Sequence, residues 1–186
     1  MDRNLETYVK IYDNWIADNI CDDIVDSIKD CSWQQHVFYD KGIEHNVSGS
    51  QELDVSYNEN KFIPFLNIKL EEAFNQYVSD LNFSWFGSFD GFSSIRFNRY
   101  SENKLMAEHC DHIKSIFGNA HSGIPYLSCL FVLNNNYQGG EFVMWQDTTI
   151  ELRKGDALLF PSNFLYPHKV LPVTQGTRYT CISWFY

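Results

Sequence analysis

From Tyr126 to the C-terminus the chain is a succession of short apolar, β-prone runs cut by tight turns, and this pattern limits the fold more than anything else in it. Tyr126 to Asn134 reads as a strand, the NNNYQGG segment turns, and Glu141 to Trp145 reads as a strand pairing back. Thr148 to Leu152 and Ala157 to Phe160, joined at Lys154-Gly155-Asp156, read as a further hairpin. The closing run from Thr177 alternates, with Arg178, Thr180, Ile182 and Trp184 on one face and Tyr179, Cys181, Ser183 and Phe185 on the other. Strands this short must close on one another to bury their apolar faces. The expected architecture is a jelly roll, the double-stranded β-helix.

Upstream the periodicity changes. Tyr8 to Trp15 reads as a short strand entering a turn. Ile16 to Cys31 reads as a helix, with Ile16, Ile20, Ile24, Val25 and Ile28 at three- and four-residue spacing and Asp18, Asp22, Asp23 and Asp26 opposite. That acidic run lacks the glycine and terminal Glu of a calcium loop, so it reads as a solvated face. Trp33 to Tyr39 reads as a strand, and Lys41 to Asn60 as a polar loop without core signal. A second helix is expected from Ile63 to Leu81, with Leu66, Leu70, Ala73, Phe74, Tyr77 and Leu81 on one face. Ser93 to Tyr100 reads as a strand presenting Arg96, Asn98 and Tyr100 together, and His112 to Pro125 reads as a loop. The expected fold is mainly β with N-terminal helices, the two helices packed on one face. With 186 residues and no linker or repeat, one domain over 1–186 is expected, support in 1–94 and core in 95–186.

Four side chains carry the chemistry. His109 and Asp111 are two apart, so on an extended strand both project to one face, roughly 7 Å apart. His168, in a second strand-rich segment, can complete the set. Two imidazoles and a carboxylate that leave the other octahedral positions open form the facial triad of non-haem Fe(II) oxygenases. Arg178 sits inside an otherwise apolar strand, which is costly unless it meets an anion. A carboxylate-bearing ligand beside the metal would supply one, with bidentate geometry. Cys110, between the two ligands, should face the other way and pack.

The ordered motifs sharpen this. Tyr100 lies nine positions before the His109-Cys110-Asp111 triplet; QGGEF at Gln138 to Phe142, KGDALLF at Lys154 to Phe160 and HKVLPVTQGTRY at His168 to Tyr179 follow. In these the chain resembles the Fe(II)/2-oxoglutarate-dependent dioxygenases, in their prolyl 4-hydroxylase-like branch, closely from Ile95 onward and loosely before it. The resemblance implies that His109, Asp111 and His168 hold Fe(II), that 2-oxoglutarate and O2 take the open positions, and that Arg178 binds the distal carboxylate of 2-oxoglutarate. It implies succinate and CO2 as coproducts, and ascorbate as a candidate reductant. Related enzymes often have Tyr before the Leu-Asn pair, where this chain has Val132 ahead of Leu133-Asn134. That brings forward Tyr100, Tyr126, Thr180 and Ser128 as substitute contacts; Tyr100 reads equally as an aromatic of the barrel wall. The implied substrate is a prolyl residue in a peptide or protein, with the loops 41–60 and 112–125 at its opening. His112 and His121 in the second loop read as solvent-facing histidines by default and as candidate substrate contacts otherwise.

Composition bounds the alternatives. A formal charge of −10 argues against nucleic acid as the main partner, and a demethylase of nucleic acids would carry a second Arg soon after Arg178. No run approaches a membrane span, the opening MDRNLETYVKIYDNW has no leader-like apolar stretch, and five cysteines without a CxxC pair suit reduced thiols. A cytoplasmic enzyme is therefore expected, of unspecified oligomeric state. Three rivals stay open: a hydroxylase of another side chain or a free amino acid, a cupin-like jelly roll holding metal without turnover, and a zinc hydrolase on the same ligands. The last lacks an obvious Glu base after the HxD motif.

Overall fold

A computed structural model describes residues 4–40, 43–45, 48–57, 59–111 and 125–186. Ahead of the second helix come the strands β1 (Lys10–Tyr12), β2 (Gln34–Gln35), β3 (Phe38–Asp40), β4 (Ile43–His45) and β5 (Asp54–Ser56). After it come β6 (Arg96–Tyr100), β7 (Met106–His109), β8 (Leu127–Val132), β9 (Gln138–Gly139) and β10 (Phe142–Met144). The last are β11 (Thr148–Ile150), β12 (Ala157–Pro161), β13 (His168–Val170), β14 (Val173–Gln175) and β15 (Arg178–Phe185). A seven-stranded sheet runs β1-β12-β8-β15-β6-β5-β2, and a four-stranded sheet runs β11-β10-β13-β7. All pairings within both sheets are antiparallel. This is the expected double-stranded β-helix, mainly β, with two helices against the larger sheet.

The alternation read in the last strand explains the layering. Cys181 and Phe185 point outward with Cys129, Phe131 and Phe97, and join a core shared with the helices α1 (Asp18–Ile28) and α2 (Ile63–Leu81). Ile182 and Trp184 point inward with Leu130 and Val132, and meet Phe142, Met144 and Val170 of the smaller sheet. In α2 the buried stripe is Leu66, Leu70, Ala73, Phe74 and Tyr77, as its spacing requires. Each such side chain removed from water is worth about 1.5–3 kcal/mol, against at most about 0.7 for intrinsic helix propensity, so packing sets this helix. Pro64 in its first turn pre-sets the backbone, and Asn82, left-handed at φ 49°, ends it. In α1, Cys21, Ile24 and Ile28 are buried. Among the described residues no helix is long and apolar enough to cross a membrane.

Two expectations need correction. Lys41 to Asn60 is not wholly a polar loop: β5 joins the larger sheet beside β6, and Leu53 and Val55 are core residues. The run ELDVS has too few apolar positions to show alternation, and its burial comes from a partner strand distant in sequence. Neither expected hairpin forms as read. β10 pairs with β11 and β13, not with β8, while β12 pairs with β1 and β8, not with β11. Consecutive strands change sheets here, so the turns are corners of the barrel. The loop 112–125, with His112 and His121, lies outside the described residues except for Pro125.

Candidate metal centre

The smaller sheet sets two histidines side by side. His168 on β13 is the direct cross-strand partner of His109 on β7, and their ring centroids are 4.3 Å apart. β7 ends at His109, so Asp111 reaches the site from a bend and not by strand alternation. That bend brings its Oδ1 to 3.4 Å from His109 Nε2 and 3.8 Å from His168 Nε2. The three ligand atoms all lie within 4.8 Å of one another. Adjacent ligands about 2.1 Å from a metal are themselves about 3 Å apart, so this spacing suits one ion held on one side.

Each ligand is oriented by its other polar atom. His109 Nδ1 lies 2.8 Å from the Ala107 carbonyl oxygen and His168 Nδ1 lies 3.1 Å from that of Tyr166. A carbonyl only accepts, so each Nδ1 carries the proton and each Nε2 keeps its lone pair for a metal. Ser128 Oγ donates to Asp111 Oδ2 at 2.7 Å and shares a 2.7 Å hydrogen bond with Ser162, which leaves Asp111 Oδ1 free. Phe142 stacks on His168 at 5.1 Å, Phe160 meets its edge at 4.9 Å, and Phe38 lies 5.3 Å from His109. These rings pack on the imidazoles and leave His168 buried, with the His109 side chain 11% exposed.

The electrostatics follow. Burial, with the neighbouring charges of His109 and Arg96, drives His168 down to about 4 despite the attraction of Asp111. Burial alone would raise Asp111, but His168, His109 and the Ser128 hydroxyl outweigh it and hold the carboxyl well below the ordinary range. At neutral pH the site therefore offers a neutral His168 imidazole and an ionised carboxylate, the protonation states a divalent metal needs.

The remaining named residues divide. Arg178 opens β15 opposite Tyr100, is 1% exposed, and lies with its Cζ 5.0 Å from the Tyr100 ring centroid. Among the described residues its Nε and Nη1 have no hydrogen-bond partner. It borders a cavity of about 230 Å³ shared with Tyr137, Gly140 and Phe142, and Phe142 continues to His168. Thr180 is on the same face, accepting from Asn98 Nδ2 at 3.2 Å and facing Val132 in register. Ser128 attaches to Asp111 instead of reaching toward Arg178. Tyr126 turns away: its hydroxyl donates to the Ser88 carbonyl at 3.2 Å and its ring packs on Phe86, on the helix side. It precedes the regular part of β8, where alternation no longer fixes direction. The aromatic walls Phe38, Phe142 and Phe160 carry no site signal in the sequence beyond the strand spacing of QGGEF and ALLF for the last two.

Ser128→Ala is expected to weaken divalent-metal binding about 10–100-fold, the usual consequence of freeing a ligand from its hydrogen-bond support. A titration with Co(II) or Fe(II) measures it. Unchanged affinity would mean that Asp111 is oriented without Ser128.

Residues 95–186 match the family described as the 2OG-Fe(II) oxygenase superfamily. The chain is 36% identical over 96 residues to a PKHD-type hydroxylase of Delftia acidovorans, covering 48% of this chain and 41% of that one. It is 35% identical over 94 residues to another from a Janthinobacterium species, covering 47% and 41%. The chain thus spans about two-fifths of the length of these relatives. Among solved structures, the viral collagen prolyl hydroxylase of Paramecium Bursaria Chlorella virus-1 aligns with TM-score 0.64 and 18% identity over 96% of this chain and 94% of that one. A prolyl hydroxylase from Trichoplax adhaerens, solved with a peptide of the hypoxia inducible factor oxygen degradation domain, aligns with TM-score 0.71 and 15% identity over 97% and 84%. At these identities the likeness is one of fold.

Proposed function

The chain belongs to the 2OG-Fe(II) oxygenase superfamily, and from that membership we propose that it is an Fe(II)- and 2-oxoglutarate-dependent dioxygenase that hydroxylates an unactivated C–H bond. The substrate we assign is a prolyl residue of a peptide or protein. His109, Asp111 and His168 hold the iron in this reading, and Arg178 receives the distal carboxylate of 2-oxoglutarate against the Tyr100 ring. Thr180 lines the same wall. Ascorbate serves as reductant, and the enzyme works in the cytoplasm.

What carries the reading is one interior that contains both the three-ligand cluster and a buried guanidinium whose Nε and Nη1 have no partner among the described residues. A metal held only for structure would not need that cation. Bound iron and 2-oxoglutarate supply the oxidising power, consuming O2 and releasing succinate and CO2. The chain's own residues do the rest. The Ala107 and Tyr166 carbonyls fix the imidazole protons on Nδ1, Ser128 steadies Asp111, and Phe38, Phe142 and Phe160 keep water off the ligands.

The test is anaerobic. Fe(II) and 2-oxoglutarate together should give a metal-to-ligand charge-transfer band with the wild-type protein, absent in His168→Ala. Under air, proline-containing peptides should then raise succinate formation. A wild-type protein without the band would sink the dioxygenase reading and favour a metal-binding jelly roll.

A further inference from the structure

A second buried guanidinium faces the same interior and has no part in the scheme above. Arg96 begins β6 and is 8% exposed. Its Nε donates to the neutral Asn98 Oδ1 at 3.0 Å, and its Cζ lies 4.8 Å from the Trp184 ring centroid. Among the described residues no carboxylate lies within ion-pair distance of it. The buried Glu52 is engaged elsewhere, accepting from the Ala107 amide at 3.3 Å and facing His36 at 3.6 Å. Burying a cation against one amide oxygen and an indole face leaves it short of counter-charge.

Strand register says where this cation sits. Arg96 pairs with Ile182 as Tyr100 pairs with Arg178, so the two arginines stand on the inner face of the larger sheet at backbone levels about 13 Å apart along β15. The Trp184 beneath Arg96 is the cross-strand partner of Ser128, and Ser128 holds Asp111. Arg96 is thus the cation on the ligand-bearing side of the interior, while Arg178 lies toward Tyr100. With iron and 2-oxoglutarate bound, the charges of metal, Arg178, Asp111 and cosubstrate cancel, which leaves Arg96 with the buried Glu52, beyond ion-pair distance and turned toward His36, as its remaining counter-charge.

Building on the dioxygenase reading, we infer that Arg96 binds a carboxylate of the substrate, so that this enzyme selects molecules presenting a carboxylate near the C–H bond to be hydroxylated. The carboxylate belongs either to an acidic side chain beside the target residue or to the free α-carboxyl of an amino acid. Both offer the planar pair of oxygens that a guanidinium fork recognises.

Protein loaded with Fe(II) and 2-oxoglutarate without oxygen separates these cases by calorimetry with two matched pairs of probes. One is acetyl-Gly-Pro-Glu-Gly-amide against its Gln counterpart, and the other is L-proline against L-prolinamide. Wild-type protein should bind the carboxylate member of one pair about 10–100-fold more tightly than its amide, and the pair that responds identifies the source. Arg96→Met, which keeps the packing on Trp184, should reduce that preference to within about twofold, while Arg96→Lys keeps part of it. Both variants should retain the charge-transfer band, which marks the cofactor site as intact. A wild-type protein that shows the band but no carboxylate preference overturns the inference, as does a preference that survives in Arg96→Met. Absence of the band in wild type removes the dioxygenase reading, and this inference falls with it.

Discussion

Asp111→Asn is expected to abolish metal-linked stabilisation while leaving the metal-free protein almost as stable as before. The substitution keeps the shape of a side chain that is 3% exposed, and the Asn oxygen can still accept from Ser128. Because His168 is neutral down to about 4, the metal-free protein loses little ion pairing at neutral pH. Its unfolding free energy should change by no more than about 1.5 kcal/mol, the net worth of an ordinary hydrogen bond. Metal binding is different. Loss of an orienting neighbour alone costs 10–100-fold, so loss of the only anionic ligand should exceed about 100-fold. Metal at about a hundred times its wild-type Kd stabilises the fold by about 2.7 kcal/mol, nearly all of which should vanish in the variant. Thermal melts of both proteins with and without Fe(II) or Co(II) measure this directly. Equal metal-induced shifts would mean that the ion binds away from this cluster.

Much of this arrangement was legible in the sequence, and the parts that were not share a cause. The helix from Ile63 to Leu81 was readable because its signal is local: the stripe from Leu66 to Tyr77 repeats within one element. The two faces of β15 were readable for the same reason, since alternation from Arg178 to Phe185 is a property of one strand. Pairing is not local. Glu141 to Trp145 follows a turn after Tyr126 to Asn134, and nothing in either run says that the chain crosses to the opposite sheet there. β5 was missed because Leu53 and Val55 are buried only by elements far away in sequence. In the site, His109, Asp111 and His168 were named together and come together, yet the strand argument for the pair was incomplete. A strand would hold the two side chains roughly 7 Å apart; the bend after His109 is what closes Asp111 Oδ1 to 3.4 Å from the imidazole. Ser128 was visible as an inward hydroxyl on β8, but its attachment to Asp111 depends on that bend and had no signal in the spacing.

Arg178→Met should move stability and cosubstrate affinity in opposite directions. In the ligand-free protein the guanidinium is 1% exposed, and among the described residues its Nε and Nη1 have no acceptor. The Tyr100 side chain returns about 2 kcal/mol through the cation–π contact, less than the several kcal/mol that desolvating a cation without a counter-ion costs. Methionine fills similar space without the charge, so the ligand-free variant should unfold about 1–3 kcal/mol less readily. The backbone passes close to the arginine: a Cβ at Gly140 would lie 2.9 Å from Val173 Cγ2 and 3.1 Å from Arg178 Cδ, at a φ of 68° that favours glycine. A close-fitting cradle for a destabilising side chain makes sense if an anion completes it. Removing one partner of such a buried charge pair costs about 2–5 kcal/mol, which is at least about 30-fold in affinity for 2-oxoglutarate. Arg178→Lys keeps the charge but loses the fork and should fall between. Denaturant unfolding of the ligand-free proteins gives the first quantity, and anaerobic titration of the charge-transfer band gives the second. Pyruvate, which has the 2-oxo acid but no distal carboxylate, adds a control: the wild-type preference for 2-oxoglutarate over pyruvate should shrink in Arg178→Met by the same factor. A variant that is less stable without ligand and binds 2-oxoglutarate normally would show that Arg178 is a structural cation, and the distal carboxylate would need another anchor.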